Sequence, residues 1–497
     1  MGESNNLEPI ILALDIGTSS IRGQLYDRTC HEISNTYIKK EYKTEILGNG
    51  GIEIDVKHIV DRIFSCVDDI HKLIEKNNYW VDSIAITTFV GNILGVNLNN
   101  DPITPLIPYS DTRAEHYANY LKEVLNPEEI HQTTGCHIHS SYWPARLFWF
   151  RKEYPSIFKR VAKWMSLGEY LFLDLFGDTA VSYSVASWNG LLNRKTLDWD
   201  EGLLDFLDIH KYNLSKIVDN NWFLNKLKYP FKNRWPKLNN IPWFSAIGDG
   251  LTANIGSGCV NNTTVAITIG STSAVRVIID RPIKTIPNGL WCYRIDKKKS
   301  LLGGALSEGG NVIEWINNLV KYNGDKYLEI NSILRKSPKE HRLIFLPLLS
   351  GERSTEWDAN IRGAICGLSL KTSLQDILIA AMEGISLRIR LIYDLLKNNI
   401  GKSDRVIFSG GAALGSQIWI QILSDVIGEK IFLSNYKEAS LRGAAIMALK
   451  SLGVISNINE IEITYGNSTD PITENYSTYS MLIEKQKVIY DAMKRIE

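Results

Sequence analysis

Apolar positions along this chain repeat with two periods. Ile10 to Leu14 is a short apolar run ending at Asp15, followed by the small residues Gly17, Thr18, Ser19 and Ser20, before Ile21 and Leu25 resume an extended pattern. A strand, a tight turn and a returning strand are predicted. The same element recurs far downstream, where Val265 to Ile269 leads into Gly270, Ser271, Thr272 and Ser273, and then Val275, Val277 and Ile279. Between the two hairpins, Ile59 to Glu75 carries a helical repeat and Ile84 to Thr88 a strand-like run. After the second hairpin, Asn311 to Val320, Ser373 to Lys397 and Gln417 to Gly428 read as helices. Leu203 to Phe244, rich in Asn, Lys and Trp, reads as irregular cover. Strands alternating with helices predict an α/β architecture.

The two hairpins align without a gap. IGTSSIRGQLYD at Ile16 to Asp27 matches IGSTSAVRVIID at Ile269 to Asp280, at an offset of 253 residues in a chain of 497. An offset of half the chain is what two related halves would give, and 497 residues exceed one ordinary domain. The expected division is 1–246 and 247–497.

Composition narrows the function classes. Lys and Arg number 55 and Asp and Glu 55, a net charge of +0, which offers no field for nucleic acid or an anionic membrane surface. Apolar runs stop short of the roughly 18 residues that a membrane span needs. The opening residues lack the basic and apolar regions of a secretion signal. The six cysteines are scattered, with no CxxC pair, and read as reduced thiols of a cytoplasmic chain.

Phosphate groups are held by converging backbone N–H groups in turns of small residues. Both hairpin turns have that composition, and Asp15 stands where a carboxylate could hold Mg²⁺ beside a nucleotide. A turn that merely joins two strands has the same composition. No GxxxxGK[ST] sequence and no ordered set of protein-kinase motifs occurs. Two further glycine clusters precede helices: GGALSEGG at Gly303 to Gly310, and the run from Phe408 to Asp425 with Gly410, Gly411 and Gly415. Gly410 and Gly411 would let the backbone pass close to a flat ligand such as adenine. Asp249, between Gly248 and Gly250, could take the proton of an attacking hydroxyl or simply cap the following helix. Asp111, Arg113, His137, His139, Tyr142 and Arg146 offer the paired donors and acceptors a polyol needs, with cations for an acidic sugar.

Taken in order, DIGTSS at Asp15, AIGDGLTANIGSG at Ala246, TIGSTSA at Thr268, GERSTEWDANIRG at Gly351 and SGGAALGSQIWIQILSDVIG at Ser409 resemble the FGGY carbohydrate kinases, from about Ile10 to Leu449. The segments around Asp249 and Glu352 look most like the gluconate kinases of that family. The resemblance implies two actin-like (ribonuclease-H-like) α/β domains with a central cleft, the first binding sugar and the second nucleotide. It implies ATP and Mg²⁺ and transfer of the γ-phosphoryl group to a hydroxyl of a sugar or sugar acid, most like gluconate. A ketopentose or other polyol such as xylulose is the alternative acceptor, and a non-kinase actin-like ATPase the alternative class. Carried onto matching positions, Asp249 is the catalytic base and Asp15 the metal-associated acid. Gly17, Thr18 and Ser19 form the first phosphate turn, and Gly270 and Ser271 the second. Gly310 and Asn311 lie near the nucleotide, with Gly410, Gly411 and Gly415 near the adenosine. Asn92, Asp111, Arg113, Tyr142 and Asp249 are the expected sugar contacts. Phe89, Val90, Gly91 and Asn92 stand where many relatives carry a Gln- or Arg-containing motif. Partners are confined to the sugar and ATP, without nucleic acid or membrane, and a homodimer is left open.

Overall fold

A computed structural model describes residues 9–319, 341–401, 403–411 and 415–496. Its contacts divide the chain into two compact units. One comprises Met1–Gly256, Cys292–Ser300 and Glu438–Ile463; the other comprises Ser257–Trp291, Leu301–Lys437 and Thr464–Glu497.

The first unit is organised by its opening hairpin. Strand Ile10–Ile16 pairs antiparallel with Ser20–Tyr26 and parallel with Val81–Thr88. Buried on both faces, Ile11, Leu12, Leu14 and Ile16 read as a continuous apolar run, as expected of an interior strand. The sheet continues to Ile38–Glu41 on one side and to Trp243–Phe244 and Phe223–Leu224 on the other, while Ile247–Gly248 also pairs with Val81–Thr88. Helix Val56–Lys76 begins where Asp55 accepts the His58 N–H at 2.6 Å, and buries Ile59, Ile63, Val67, Ile70 and Ile74 along one stripe. A second apolar cluster, centred on Trp143, Leu147, Trp164 and Trp199, forms a separate core; the segment read as irregular cover adds Leu203, Leu204 and Leu207 to it from helix Glu201–Leu207, and gives Phe223–Leu224 and Trp243–Phe244 to the sheet.

The second unit repeats the opening arrangement. Strand Thr264–Ile269 pairs antiparallel with Ser273–Ile279 and parallel with Arg405–Ser409. Its sheet runs in the order Ser300–Leu306, Ser273–Ile279, Thr264–Ile269, Arg405–Ser409, Ile431–Ser434 and Tyr465–Thr469. Helix Leu374–Ile400 starts from a reciprocal cap between Ser373 and Asp376, and Gln417–Ile427 ends at Gly428 in the left-handed region. Helix Gly310–Leu319 follows the glycine cluster, and Val320, at its expected end, lies outside the described residues.

The compact units cut the chain differently from a division at 246/247. Helix Asp249–Gly256 follows a strand of the first sheet, and helix Ala439–Ser451 packs on it and on strands Ile10–Ile16 and Val81–Thr88. A late segment of the chain therefore completes the first unit. Among the described residues no helix is long and apolar enough to cross a membrane. None of the six cysteines forms a disulfide.

Candidate active site

Strand register brings Asp15 and Asp249 together. Asp15 and Ile247 are both register partners of Thr87, on opposite sides of strand Val81–Thr88. Two residues past Ile247 the chain turns into helix Asp249–Gly256, so Asp249 leaves the sheet with one strand between it and the strand of Asp15. The Thr87 hydroxyl secures this crossing, donating to the Ile247 carbonyl at 3.1 Å and lying 2.7 Å from the Thr252 hydroxyl. Asp249 is half-buried, and its Oδ1 accepts the Gly250 N–H at 2.7 Å.

Burial pushes the Asp15 carboxyl up to about 7, against the pull of Arg22, with the charges of Asp249 and Glu438 adding to the rise. Arg22 faces Asp15 across the hairpin at 3.4 Å and makes its short contact, 2.9 Å, to Glu438. Asp15 Oδ1 is buried without a hydrogen-bond partner among the described residues. A buried carboxylate with one oxygen unspent suits a hard cation. Among the described residues no group of three or more His, Cys, Asp or Glu side chains could hold a metal.

The first turn is tight. Gly17 N–H donates to the Ser20 carbonyl at 3.0 Å, the Tyr42 hydroxyl donates to the Gly17 carbonyl at 2.5 Å, and Thr18 and Ser19 are exposed at the tip. In the second unit the corresponding turn closes with Gly270 N–H on the Thr272 carbonyl at 2.9 Å. The glycine cluster lies directly against it. Gly310 N–H donates to the Gly270 carbonyl at 2.8 Å and Asn311 N–H to the Ser271 carbonyl at 3.3 Å. A Cβ on Gly309 would stand 2.8 Å from the Gly270 oxygen, so only glycine allows this approach. Gly410, at φ +110°, ends the neighbouring strand with its Cα against Ile269, where a Cβ would meet the Ile269 oxygen at 2.3 Å. Gly270, Ser271, Gly310, Asn311 and Gly410 are thus gathered at the ends of adjacent strands, with Gly411 next in the chain and no atom of the described residues within 4 Å of its Cβ side. Gly415 is exposed, and residues 412–414 of that loop lie outside the described residues.

The expected sugar contacts form a more internal group. Asp111 accepts the Ile52 N–H at 2.8 Å and the Arg113 N–H at 3.0 Å, and Arg113 spans Asp111 at 2.8 Å and Glu53 at 2.7 Å beneath Trp149. The Tyr142 hydroxyl meets that of Tyr293 at 2.5 Å, and Tyr293 stacks on Trp188. Asn92 is 0 % exposed: its amide nitrogen donates to the Phe89 carbonyl and its oxygen accepts the Leu167 N–H at 2.7 Å. Asn92 therefore fixes the shape of the loop that begins at Phe89. Arg146, also buried, donates to the carbonyls of Ser140 and Gly91, while its Nη2 has no hydrogen-bond partner among the described residues. Burial lowers its pKa to about 10.

Arg22, Glu438 and Tyr42 were not among the expected site residues. Pairing of Ile16 with Ile21 sets Arg22 opposite Asp15, a relation the hairpin length contains. Glu438, more than 400 residues away in the chain, carries no such signal.

Residues 10–256 match the model of the N-terminal domain of the FGGY family of carbohydrate kinases, and residues 265–452 match that of its C-terminal domain. The gluconokinase of Bacillus subtilis (strain 168) is 26% identical over 486 residues, covering 95% of this chain and 94% of that protein. The crystal structure of gluconate kinase from Lactobacillus acidophilus has a TM-score of 0.88 at 26% identity, covering 98% of each chain. The ligand-bound xylulose kinase from the same organism has a TM-score of 0.89 at 26% identity, again over 98% of each chain. The expected α/β fold with two actin-like, ribonuclease-H-like domains is borne out by this likeness.

Proposed function

The chain belongs to the FGGY family of carbohydrate kinases, a phosphotransferase with an alcohol group as acceptor and ATP as donor, and we propose that its acceptor is gluconate and its general base Asp249. Membership of this family sets aside an actin-like ATPase with no acceptor. What carries the gluconate reading is the full-length similarity to a gluconokinase and a gluconate kinase structure. It is supported by Arg146, a buried cation with one nitrogen unspent among the described residues, in the group of expected sugar contacts. A similar likeness to a xylulose kinase structure keeps a ketopentose as the second reading.

In this reading the first unit holds the sugar and the first phosphate turn, and the second unit holds the nucleotide. Asp249 accepts the proton of the acceptor hydroxyl as it attacks the γ-phosphorus. General-base help of this kind is typically worth about 10² to 10⁴ in rate, and positioning with charge neutralisation supplies most of the remainder. Asp15 would hold Mg²⁺, and the bound ion would supply charge neutralisation at the transferred phosphoryl group. Thr18, Ser19 and Ser271 present turn donors to the phosphates while Gly17 and Gly270 close the two turns, Gly310 and Asn311 lie beside the nucleotide, and Gly410, Gly411 and Gly415 flank the adenosine. Asp111, Arg113 and Tyr142 contact the sugar or brace those that do, and Asn92 shapes their loop. We place the reaction in the cytoplasm, a reading favoured by six cysteines that form no disulfide.

The test is Mg²⁺-dependent ADP release across gluconate, xylulose, ribulose and glycerol. Turnover with gluconate at least about tenfold above the other acceptors in kcat/KM supports the reading. A preference for xylulose or ribulose overturns gluconate in favour of the ketopentose.

A further inference from the structure

Cross-strand pairing obliges Arg22 to face Asp15. A guanidinium and a carboxylate so placed ordinarily close to about 2.8 Å and share two hydrogen bonds. Here they remain 3.4 Å apart, and Asp15 Oδ1 has no hydrogen-bond partner among the described residues. Arg22 instead gives its short bond, 2.9 Å from Nη1, to Glu438 Oε2. The other oxygen of Glu438 accepts the Tyr37 hydroxyl at 3.0 Å, so both of its oxygens are engaged. Glu438 precedes helix Ala439–Ser451 but makes no side-chain capping bond to it, which leaves its carboxylate directed to Arg22 and Tyr37.

We infer that Glu438 is a positioning residue that draws Arg22 away from Asp15 and so keeps the Asp15 carboxylate open to the cation accompanying the nucleotide. The inference rests on the reading of Asp15 as the metal-associated acid. Without the Glu438 charge, Arg22 has Asp15 as its remaining carboxylate partner and competes with the cation for it. The same helix pair then serves both acids, because Ala439–Ser451 packs on the helix that Asp249 begins.

Mn²⁺ is the probe, titrated by electron paramagnetic resonance into the full-length protein at saturating ADP. The set comprises wild type, Asp15→Asn, Glu438→Gln, Arg22→Gln and the double variant. Arg22 and Glu438 side chains are 30% and 23% exposed, so neither substitution opens a buried cavity. Glu438→Gln is expected to weaken Mn²⁺ binding at least about fivefold, and to change it less than about twofold once Arg22 is Gln. Equal weakening in both backgrounds would show Glu438 acting on the cation directly and overturn the inference, as would unchanged affinity in Glu438→Gln. Equal Mn²⁺ affinity of wild type and Asp15→Asn would instead remove the Asp15 reading itself, and the inference with it.

Discussion

Gly256 and Gly443 lie where two helices meet backbone to backbone: a Cβ on Gly256 would stand 1.8 Å from the Ala439 carbonyl oxygen, and one on Gly443 would stand 1.8 Å from that of Thr252. No side chain between them can turn aside, so accommodating a methyl group requires one helix to move. These helices carry Asp249 at the start of one and follow Glu438 at the start of the other. Gly443→Ala is expected to cost about 1 to 3 kcal/mol of stability by overpacking and to reduce kcat beyond what the fraction folded explains. Chemical denaturation and turnover measured on the same preparation check this, and a variant with unchanged midpoint and kcat would contradict the packing argument.

The Asp249 assignment predicts a separation of fold from chemistry. Asp249→Asn keeps size and the capacity to accept the Gly250 N–H, now 2.7 Å from Oδ1, but cannot take a proton from the acceptor. Turnover should fall at least about 10²-fold, while the melting temperature and ADP affinity stay close to wild type. Turnover within a few-fold of wild type would eliminate Asp249 as the base.

Glu308 gives the stability of the second unit a pH dependence of definite sign. Its carboxyl is 1% exposed, and burial pushes it up to about 7, against the Ser350 N–H at 3.2 Å and the cations Arg353 and Arg388. Between its unfolded value near 4.5 and about 7 the folded chain holds a proton that the unfolded chain has lost. Stability therefore falls as pH rises through that window, by an amount on the order of 3 kcal/mol from this group, and stays lower above it. Glu308→Gln should flatten the decline between pH 5 and pH 7.5 in thermal melts and be the more stable protein at pH 8. Parallel curves for the two proteins would refute the assignment.

Both hairpins, the glycine clusters beside them and the acids at Asp15 and Asp249 were legible because local composition fixes them. A strand ending in small residues can only turn, and Ser373 with Asp376 or Gln417 after Ser416 announces a helix start. What was not legible depends on contacts distant in sequence. The return of Ala439–Ser451 to the first unit rests on a glycine approach between residues nearly 190 apart, and Glu438 reaches Arg22 across 416 positions. Likewise, Asp111 and Arg113 read as polar anchors and pair locally, but their bonds to the Ile52 N–H and to Glu53 depend on a distant strand folding over them.

Asn92 separates a loop-shaping role from a sugar contact. Its amide joins the Phe89 carbonyl to the Leu167 N–H in a fully buried setting, while its own carbonyl accepts the Trp143 indole N–H at 3.0 Å. Asn92→Ala strands two buried polar groups, each costing about 1 to 3 kcal/mol, so a marked loss of stability is expected. Asn92→Asp keeps the acceptor for Leu167 but turns the donor to Phe89 into a second oxygen, and should recover only part of that loss. If Asn92 acts through loop shape, both substitutions raise KM for every acceptor by a similar factor. A rise confined to one acceptor, with the melting temperature unchanged, would instead make Asn92 a direct contact for that sugar.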